Sequence, residues 1–512
     1  MSREYVIGAD IGTTSTKSVL FDAAGKPVAI HTIEYPLYSP KPLIAEQDPD
    51  EIFRAVIGTI KEVVQRSGIP PSSIRCVSFS SAMHSVIAVD RQGNPLTRCI
   101  TWADNRSAPW TERIKAEMNG HQIYLRTGTP IHPMAPLSKL FWLRHDEAEL
   151  FARSSKFISI KEYVFHKLFG RYVVDYSIAS ATGMFALAKL AWDEEALQIA
   201  GVAPDRLSEP VPTTYRLSGL DAHWAAEMGL PASVPFVVGA SDGVLSNLGV
   251  NAIDSGTVVV TIGTSGAIRT VTNRPVTDPK GRIFCYALTE DMWVIGGPVN
   301  NGGIIFRWLR NELCSAEMET ALRLDRDPYD LLTEMASKVR PGADGLLFHP
   351  YLAGERAPLW NADARGSFFG LGLHHKKQHM VRAVLEGVIF NLFTVYSALQ
   401  ELIGRPGKIQ ATGGFARSEL WRQMMADIFD QEVNVPESVE SSCLGAAILG
   451  LYSVGDIKTL HVVSDMMGTM YRHVPNPESV KIYRELAPIF IRVSRLLNEE
   501  YGHISAFQKK WM

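Results

Sequence analysis

The fold of this chain is decided by its opening stretch, VIGADIGTTSTKSVLFDAAGKP, which covers residues 6–27. Apolar runs over residues 5–9 and 17–21 flank a short segment of Gly, Thr and Ser, and this order predicts two strands joined by a tight turn. A turn of small residues directs backbone N–H groups and hydroxyls into one small volume, which suits phosphate oxygens. The stretch therefore predicts a hairpin that holds a phosphate group.

A carboxylate, Asp10, precedes that turn, and Lys17 follows it. Mg²⁺ keeps much of its hydration shell in proteins, so a single carboxylate can hold it through water. We therefore interpret Asp10 as the candidate metal anchor, residues 12–16 as the phosphate-binding turn and Lys17 as an additional charge. The alternative is an ordinary β-turn in which Asp10 satisfies local backbone groups.

A second stretch, GTVVVTIGTSGAIRTV at residues 256–271, repeats the pattern later in the chain. Each copy is an apolar strand, then Gly-Thr-Thr-Ser or Gly-Thr-Ser, then another apolar strand. Two such hairpins in corresponding positions predict two similar domains, although these residues are common enough for the repeat to arise by chance. The best boundary lies at residues 253–257, which gives predicted domains 1–252 and 253–512.

A second carboxylate, Asp242, occurs in the segment GASDGV, directly after the buried-strand pattern VPFVV. Its small neighbours would let a substrate approach the carboxylate closely. A carboxylate held against a substrate hydroxyl can accept its proton during phosphoryl transfer. The competing interpretation is a turn residue whose carboxylate accepts local backbone N–H groups.

Two further segments carry polar and aromatic residues between predicted strands and helices. SSAMHS contains His84, and TWADNR contains Trp102, Asp104, Asn105 and Arg106. Such loops are typical of a site for a polyhydroxylated ligand, because each buried hydroxyl needs a hydrogen-bond partner. For His84 alone, a structural role explains the residue equally well.

Composition narrows the class of partner. The chain has 512 residues, 46% of them hydrophobic and 21% charged, and a net charge of −3. This balance gives no indication of a nucleic-acid or membrane partner, so we expect a small molecule. The five cysteines are scattered and odd in number, which supports neither disulfides nor a zinc site. With no apolar signal core at the N-terminus, these features predict a cytoplasmic protein.

Standard nucleotide-binding motifs are missing, since no G-x-x-x-x-G-K-[ST] occurs and no G-x-G-x-x-G follows a strand and opens a helix. The combination of segments instead resembles the FGGY carbohydrate kinases, which have the actin-like ATPase fold. The resemblance covers nearly the whole chain and rests on eight segments in order: GADIGTTSTK, MH before TWADNR, TGTPIHPMAPLSKLFWL, GASDG, TIGTSG, NNGGIIFRWLR, GSFFGLGLHHKKQHMVRAVLEG and ATGGFARSELWRQMMADI.

This resemblance implies an α/β fold of two related, ribonuclease H-like domains with a deep cleft between them, and ATP and Mg²⁺ as cofactors. It leaves a homodimer open as the assembly. It implies that Asp10 helps to hold Mg²⁺ and that Asp242 is the catalytic base. The residues that it places near ATP are Thr13, Thr14, Ser15, Lys17, Gly263, Thr264, Gly303, Arg307, Gly413 and Gly414. The residues that it places near the substrate are Met83, His84, Trp102, Asp104, Arg106, Met134 and Asp242.

The same resemblance narrows the substrate. Glycerol kinases carry Arg-Glu at the positions of Met83 and His84 and Tyr at Met134, which argues against glycerol. The strings SFSSAMHSVIAVD and ITWADNRS are most similar to the family members that phosphorylate gluconate, and xylulose is the alternative substrate. Arg106 or Lys139 could supply the cation that a gluconate carboxylate requires. A non-catalytic, actin-like nucleotide-dependent scaffold is the hypothesis from another class.

Overall fold

The computed structural model describes residues 4–436, 440–466 and 470–511. In chain order its strands are β1 (Tyr5–Ile11), β2 (Ser15–Asp22), β3 (Pro27–Glu34), β4 (Glu46–Gln47), β5 (Ile74–Ser81), β6 (Ile87–Val89), β7 (Cys99–Ile100), β8 (Lys156–Ile158), β9 (Val173–Asp175), β10 (Phe185–Ala186), β11 (Ala191–Trp192), β12 (Glu209–Val211), β13 (Arg216–Leu217), β14 (Phe236–Ser241), β15 (Thr257–Ile262), β16 (Gly266–Thr272), β17 (Phe284–Ala287), β18 (Trp293–Val299), β19 (Leu347–His349), β20 (Ser367–Phe369), β21 (Lys408–Thr412), β22 (Val433–Pro436) and β23 (Met470–His473).

The helices are α1 (Pro49–Ser67), α2 (Ala108–Glu117), α3 (Gly120–Thr127), α4 (Pro136–Asp146), α5 (Ala148–Arg153), α6 (Ile160–Phe169), α7 (Tyr176–Ser180), α8 (Glu194–Ala200), α9 (Ala222–Met228), α10 (Asp242–Gly249), α11 (Gly303–Trp308), α12 (Ser315–Arg323), α13 (Pro328–Ser337), α14 (Lys377–Ile403), α15 (Glu419–Phe429), α16 (Ser441–Val454), α17 (Val463–Met466), α18 (Pro477–Leu496) and α19 (Asn498–Trp511).

The chain forms two compact units, and neither is a single continuous segment. The first comprises the residues up to Ser255 together with Val271–Ile295 and the segment that begins at Glu440. The second comprises Gly256–Thr270, the residues from Gly296 to the gap after β22, and the C-terminal residues from β23 onward. The predicted boundary between residues 252 and 253 lies close to Ser255, but the discontinuity was not predicted.

Close packing explains why α16 belongs to the first unit. A Cβ atom on Gly249 of α10 would lie 1.9 Å from the Ser441 carbonyl oxygen, and one on Gly445 of α16 would lie 2.1 Å from the Leu245 carbonyl oxygen. No side chain fits at such distances, so the two helices contact each other through their backbones. Helix α16 therefore packs as part of the first unit, although most of the second unit precedes it in the sequence.

The first unit is built on a six-stranded sheet in the order β13-β14-β5-β1-β2-β3. Strands β1 and β2 form the predicted antiparallel hairpin, while β5 lies parallel to β1 on its other side. Helix α1 covers this sheet with an apolar face that includes Ile52, Val56 and Ile60, all at most 1% exposed. The side chain of Asp48 caps its first turn by accepting the backbone N–H groups of Asp50 and Glu51.

The strand pairing of the first sheet is repeated in a seven-stranded sheet, in the order β17-β18-β16-β15-β21-β22-β23. There β15 and β16 form an antiparallel hairpin, and β21 lies parallel to β15 as β5 does to β1. The same hairpin and the same parallel neighbour thus occur in both sheets, which supports a duplication rather than a chance repeat of small residues.

Helix α14 lies in the core of the second unit. Among the described residues it is long and apolar enough to cross a membrane by length and composition, yet 83% of its most apolar 18-residue window is buried. Its apolar residues recur at steps of three and four, a pattern that predicts a helix, and Gly404 follows its last residue.

Candidate active site

The carboxylate of Asp10 lies at the end of β1, where it faces the neighbouring strand. The Ser80 hydroxyl on β5 donates a 2.6 Å hydrogen bond to Asp10 Oδ1, and the two residues are paired in register. Burial, followed by the charge of Asp242, raises the pKa of Asp10 from its ordinary value to about 6. Two carboxylates close enough to repel each other are a suitable pair for a hydrated divalent cation.

Lys17, predicted to lie near the phosphates, is engaged elsewhere in the first unit. Its ammonium contacts both carboxylate oxygens of Glu440, at 3.1 and 2.9 Å. Glu440 directly precedes α16, so this ion pair joins the first hairpin to that helix. Contact of Lys17 with phosphate stays a prediction, and the structure adds that Glu440 already balances its charge.

The turn of the first hairpin is held by side chains from outside it. The Tyr35 hydroxyl donates to the Gly12 carbonyl oxygen at 2.6 Å, and the Trp102 indole N–H donates to Thr13 Oγ1 at 2.9 Å. Because Trp102 was predicted to lie near the substrate and Thr13 near ATP, this bond brings the two predicted groups into contact. Thr14 and Ser15 complete the turn, in which the Gly12 N–H donates to the Ser15 carbonyl oxygen.

Asp242 is the first residue of α10 and directly follows the buried strand β14. Strand β14 bulges just before it, at Gly239, whose φ is +69° and whose added Cβ atom would lie 1.7 Å from the Phe79 carbonyl oxygen. Glycine is therefore required there, and the bulge sets where the chain turns toward Asp242. Behind this turn, Lys161 forms a fully buried ion pair with Asp175 at 2.6 Å.

His84 and Met134 are connected through Lys139. The Lys139 ammonium, 1% exposed, donates to the carbonyl oxygen of His84 at 2.8 Å and also to that of Met134. Burial lowers the pKa of Lys139 to about 7. Lys139 therefore fixes two predicted substrate residues relative to each other, while Met83 lies half-buried beside His84.

The ring and backbone of His84 are both constrained. Its Nδ1 lies 2.7 Å from the Ala181 carbonyl oxygen, so this nitrogen carries the proton, and Nε2 lies 3.5 Å from the Tyr286 hydroxyl. The backbone has φ of +68°, a left-handed conformation that is costly for a residue other than glycine. Such strain is found where the surrounding structure fixes a side chain for function.

Arg106 already contacts two carboxylates. Its guanidinium lies 2.6 Å from Glu46 and 2.9 Å from Asp104. Asp104 is 1% exposed and also accepts the Ala45 backbone N–H at 2.9 Å. The contact of Arg106 with a substrate carboxylate stays a prediction. In the structure, the carboxylate of Asp104 positions the guanidinium of this arginine.

The second hairpin carries the other predicted ATP residues. The Gly303 N–H donates to the Gly263 carbonyl oxygen at 2.7 Å, and the next N–H, of Ile304, donates to the Thr264 carbonyl oxygen at 3.1 Å. The start of α11 is thus bonded to the hairpin turn. Arg307 lies exposed one helical turn further along α11.

Gly413 follows β21 with φ of +109°, and an added Cβ atom there would lie 2.3 Å from the Ile262 carbonyl oxygen. This glycine therefore lies against the end of β15, next to the second hairpin, and an added Cβ atom on Gly414 would meet open space. The structure places Gly263, Thr264, Gly303, Gly413 and Gly414 in one neighbourhood of the second unit. Roles toward adenosine and phosphate stay predictions.

Several residues of this region could not be identified from sequence patterns. Four of them each contact a predicted site residue: Ser80, Tyr35, Glu46 and Glu440. Each lies far in sequence from the residue it contacts, or its neighbouring residues form no distinctive pattern. For Ser80 a weak signal existed, since the string SFSS on a strand beside the first hairpin directs alternate hydroxyls to one face.

Two related hairpins in two units, with a pair of carboxylates beside the first hairpin, define the class: this is the architecture of the actin-like ATPase folds. Models of the N- and C-terminal domains of the FGGY family of carbohydrate kinases match residues 5–249 and 258–454. The chain belongs to this family and is a carbohydrate kinase. The predicted family and fold class are therefore confirmed.

Known proteins similar to this chain include the gluconokinase of Bacillus subtilis (strain 168), which is 62% identical over 506 residues, or 99% of this chain and 98% of the relative. Among solved structures, the gluconate kinase from Lactobacillus acidophilus has a TM-score of 0.93 and 39% identity, and the match covers 98% of this chain and 100% of that one. A ligand-bound xylulose kinase from the same organism matches with the same TM-score, identity and coverage.

Proposed function

We propose that this chain transfers the γ-phosphoryl group of ATP to the 6-hydroxyl of D-gluconate, giving 6-phospho-D-gluconate and ADP. The observation that carries the proposal is the 62% identity to a gluconokinase over 99% of the chain. The solved structures do not separate the two candidate substrates, because those named for gluconate and for xylulose match equally well. Xylulose is therefore the second candidate.

In this proposal Asp242 accepts the proton of the 6-hydroxyl while that oxygen bonds to the γ-phosphorus, and ADP leaves with the electron pair of the broken bond. The role is supported by the position of Asp242 at the start of α10, beside a second carboxylate. His84, Trp102 and Met134 would orient the sugar acid, and the strained backbone of His84 supports this assignment.

Asp10 would hold Mg²⁺ through water. Its fit to a cation is supported by its raised pKa, which is due first to burial and then to repulsion from the neighbouring carboxylate of Asp242. When bound, the metal ion neutralises charge on the phosphate oxygens. The backbone N–H groups and hydroxyls of residues 12–15 and 263–264 would hold those oxygens. Arg307 would add a positive charge near the nucleotide, and Gly413 and Gly414 would leave space for adenosine.

We further propose that the enzyme is cytoplasmic and acts on small molecules without a nucleic-acid or membrane partner, which the net charge of −3 supports. We propose a homodimer as the assembly, in line with the family resemblance. Light scattering of the purified protein tests it, and a monomeric mass would contradict it.

The substrate is tested by a coupled assay of ADP release across D-gluconate, D-xylulose, D-ribulose and glycerol, with kcat/KM determined for each. The proposal predicts the highest kcat/KM for gluconate and no comparable turnover of glycerol. A higher value for xylulose would overturn the gluconate assignment in favour of the second candidate. Nucleotide hydrolysis that no sugar stimulates would contradict both and favour the scaffold hypothesis.

A further inference from the structure

A buried carboxylate in the second unit is held by four neutral donors. Glu355, in the segment between β19 and β20, is 1% exposed. Its Oε1 accepts the backbone N–H groups of Asn300 at 2.6 Å and Arg356 at 2.8 Å. Its Oε2 accepts the side-chain amides of Asn301 at 2.9 Å and Asn391 at 2.7 Å. Four donors on one carboxylate offset much of the cost of burying it.

These donors come from three separate parts of the second unit. Asn391 belongs to α14, Arg356 to the segment between β19 and β20, and Asn300 and Asn301 to the loop between β18 and α11. The amide of Asn301 also donates to the Gly354 carbonyl oxygen at 2.7 Å. Glu355 therefore helps to attach the loop before α11 to the rest of the unit and links this loop to α14 through Asn391. The Arg356 guanidinium and the Ala353 backbone also bond to this loop, at Asn300 Oδ1 and Asn301 Oδ1.

That loop continues directly into the contact with the second hairpin. After Asn301 the chain passes Gly302, where an added Cβ atom would lie 2.5 Å from the Ser265 carbonyl oxygen. It then reaches Gly303, whose N–H is bonded to the Gly263 carbonyl oxygen at 2.7 Å. Because the backbones are already in contact, any displacement of Asn300 and Asn301 is transmitted to the hairpin turn.

We propose that Glu355 is a positioning residue for the nucleotide: it fixes the loop that holds Gly303 against the second hairpin, and so sets the geometry in which this hairpin meets ATP phosphates. The inference rests on the proposed function in one respect, the assignment of Gly263, Thr264 and Gly303 to ATP. Glu355 itself is buried behind the loop and acts through these residues, so it is not a catalytic residue.

The test is the variant Glu355→Gln, which keeps the size of the side chain. A glutamine retains one oxygen for the backbone N–H groups, but its NH₂ group then faces the amide N–H groups of Asn301 and Asn391. Loss of a hydrogen bond to a charged group of this kind lowers the population of the loop geometry that binds ATP by about tenfold or more, and the apparent affinity falls with that population. We expect the Kd of ATP, measured by calorimetry without sugar, to rise by about that factor, while KM for gluconate changes less than twofold.

Glu386→Gln is the matched control. Glu386 is equally buried, lies on α14 in the same unit, and accepts hydrogen bonds from Arg382 and Tyr483, both at 2.7 Å, neither of which belongs to the loop before α11. This variant is expected to lower the stability of the fold and to leave the Kd of ATP unchanged. An equal rise in Kd for both variants would show a general structural effect and would overturn the positioning role.

A rescue variant makes the test specific. Combining Glu355→Gln with Asn391→Asp exchanges the positions of the carboxylate and the amide. The NH₂ group of the introduced glutamine can then donate to the carboxylate at position 391. We expect the double variant to recover part of the affinity for ATP that the single variant loses, since the contact with Asn301 stays mismatched. A double variant that binds ATP no more tightly than Glu355→Gln alone would contradict the inference.

If Glu355→Gln does not fold, Asn391→Leu replaces it, because this change removes one donor and leaves Glu355 in place. Faster hydrogen exchange at the Gly303 and Ile304 N–H groups and weaker ATP binding are expected, and no change in either would overturn the proposal. Failure of the proposed function is distinguishable, since a preference for xylulose would leave these sugar-free results intact.

Discussion

Replacing Asp10 with Asn is expected to stabilise the folded protein at neutral pH while it abolishes phosphoryl transfer. The cause is the pKa of Asp10, which burial and the neighbouring Asp242 raise from 3.8 to about 6. At pH 7.5 the folded protein must keep this carboxylate ionised in surroundings that oppose its charge. Asparagine carries no charge, and its Oδ1 can still accept the 2.6 Å hydrogen bond from Ser80.

The size of the effect follows from proton linkage. A folded-state pKa above the unfolded value means that the protonated group contributes stability below the unfolded pKa, and that this contribution is lost as the pH rises through about 6. A shift of this size corresponds to at most about 3 kcal/mol, and because Asp10 is only half-buried we expect about 1–3 kcal/mol. The gain from Asp10→Asn should therefore be small at pH 4–5 and reach its full value above pH 7.

The assay is urea denaturation of wild type and Asp10→Asn at several pH values, with EDTA present so that metal binding does not contribute, alongside kcat measured with MgATP and gluconate. A free energy of unfolding that is lower for Asp10→Asn than for wild type at pH 7.5 would contradict an unfavourable charge at Asp10. So would a difference between the two proteins that does not grow between pH 5 and 8. Ser80→Ala is the control, because it should destabilise the protein at every pH.

Two further predictions concern the cations near the sugar site. Arg106→Ala should lower the free energy of unfolding by about 1–3 kcal/mol, because it removes the cation that faces buried Asp104. It should also raise KM for gluconate more than His84→Ala does, and an unchanged KM would remove Arg106 from the substrate site. Lys139 has a pKa lowered by burial to about 7, so the unfolded chain binds a proton that the folded chain does not, and wild-type stability should rise with pH between about 7 and 10. Relative to wild type, Lys139→Met should lack this rise, and parallel stability curves in denaturant titrations would contradict the assignment.

The strands and helices that arise from short, local sequence patterns could be predicted from the sequence. The two hairpins follow from continuous apolar runs that flank a turn of small residues, and the structure has both. Helices α1 and α14 follow from apolar residues at steps of three and four, and the structure has both at those positions. The family followed from eight ordered segments rather than from any one of them. Asp242 at the start of a helix after a buried strand also follows from its local sequence.

Contacts between residues distant in sequence could not be predicted in this way. Glu355 bonds to residues 300–301 and to residue 391, and Arg106 contacts Glu46. No local sequence pattern indicates either of these contacts. The discontinuity of the two units has the same origin, since it depends on close backbone contact between α10 and α16 rather than on a linker composition. Lys139 was considered for a substrate carboxylate, whereas its ammonium donates to two backbone carbonyl groups.

The assignment of Asp242 as the catalytic base is tested by Asp242→Asn. The change keeps the shape of the side chain and removes its ability to accept a proton, so it should lower kcat for gluconate by about 10²–10⁴-fold. The Kd of ATP and the unfolding transition should stay close to those of wild type, because the nucleotide is assigned to other residues. A variant that keeps more than about a tenth of wild-type kcat would contradict the assignment of Asp242 as the base, because a proton-accepting base contributes at least about a hundredfold.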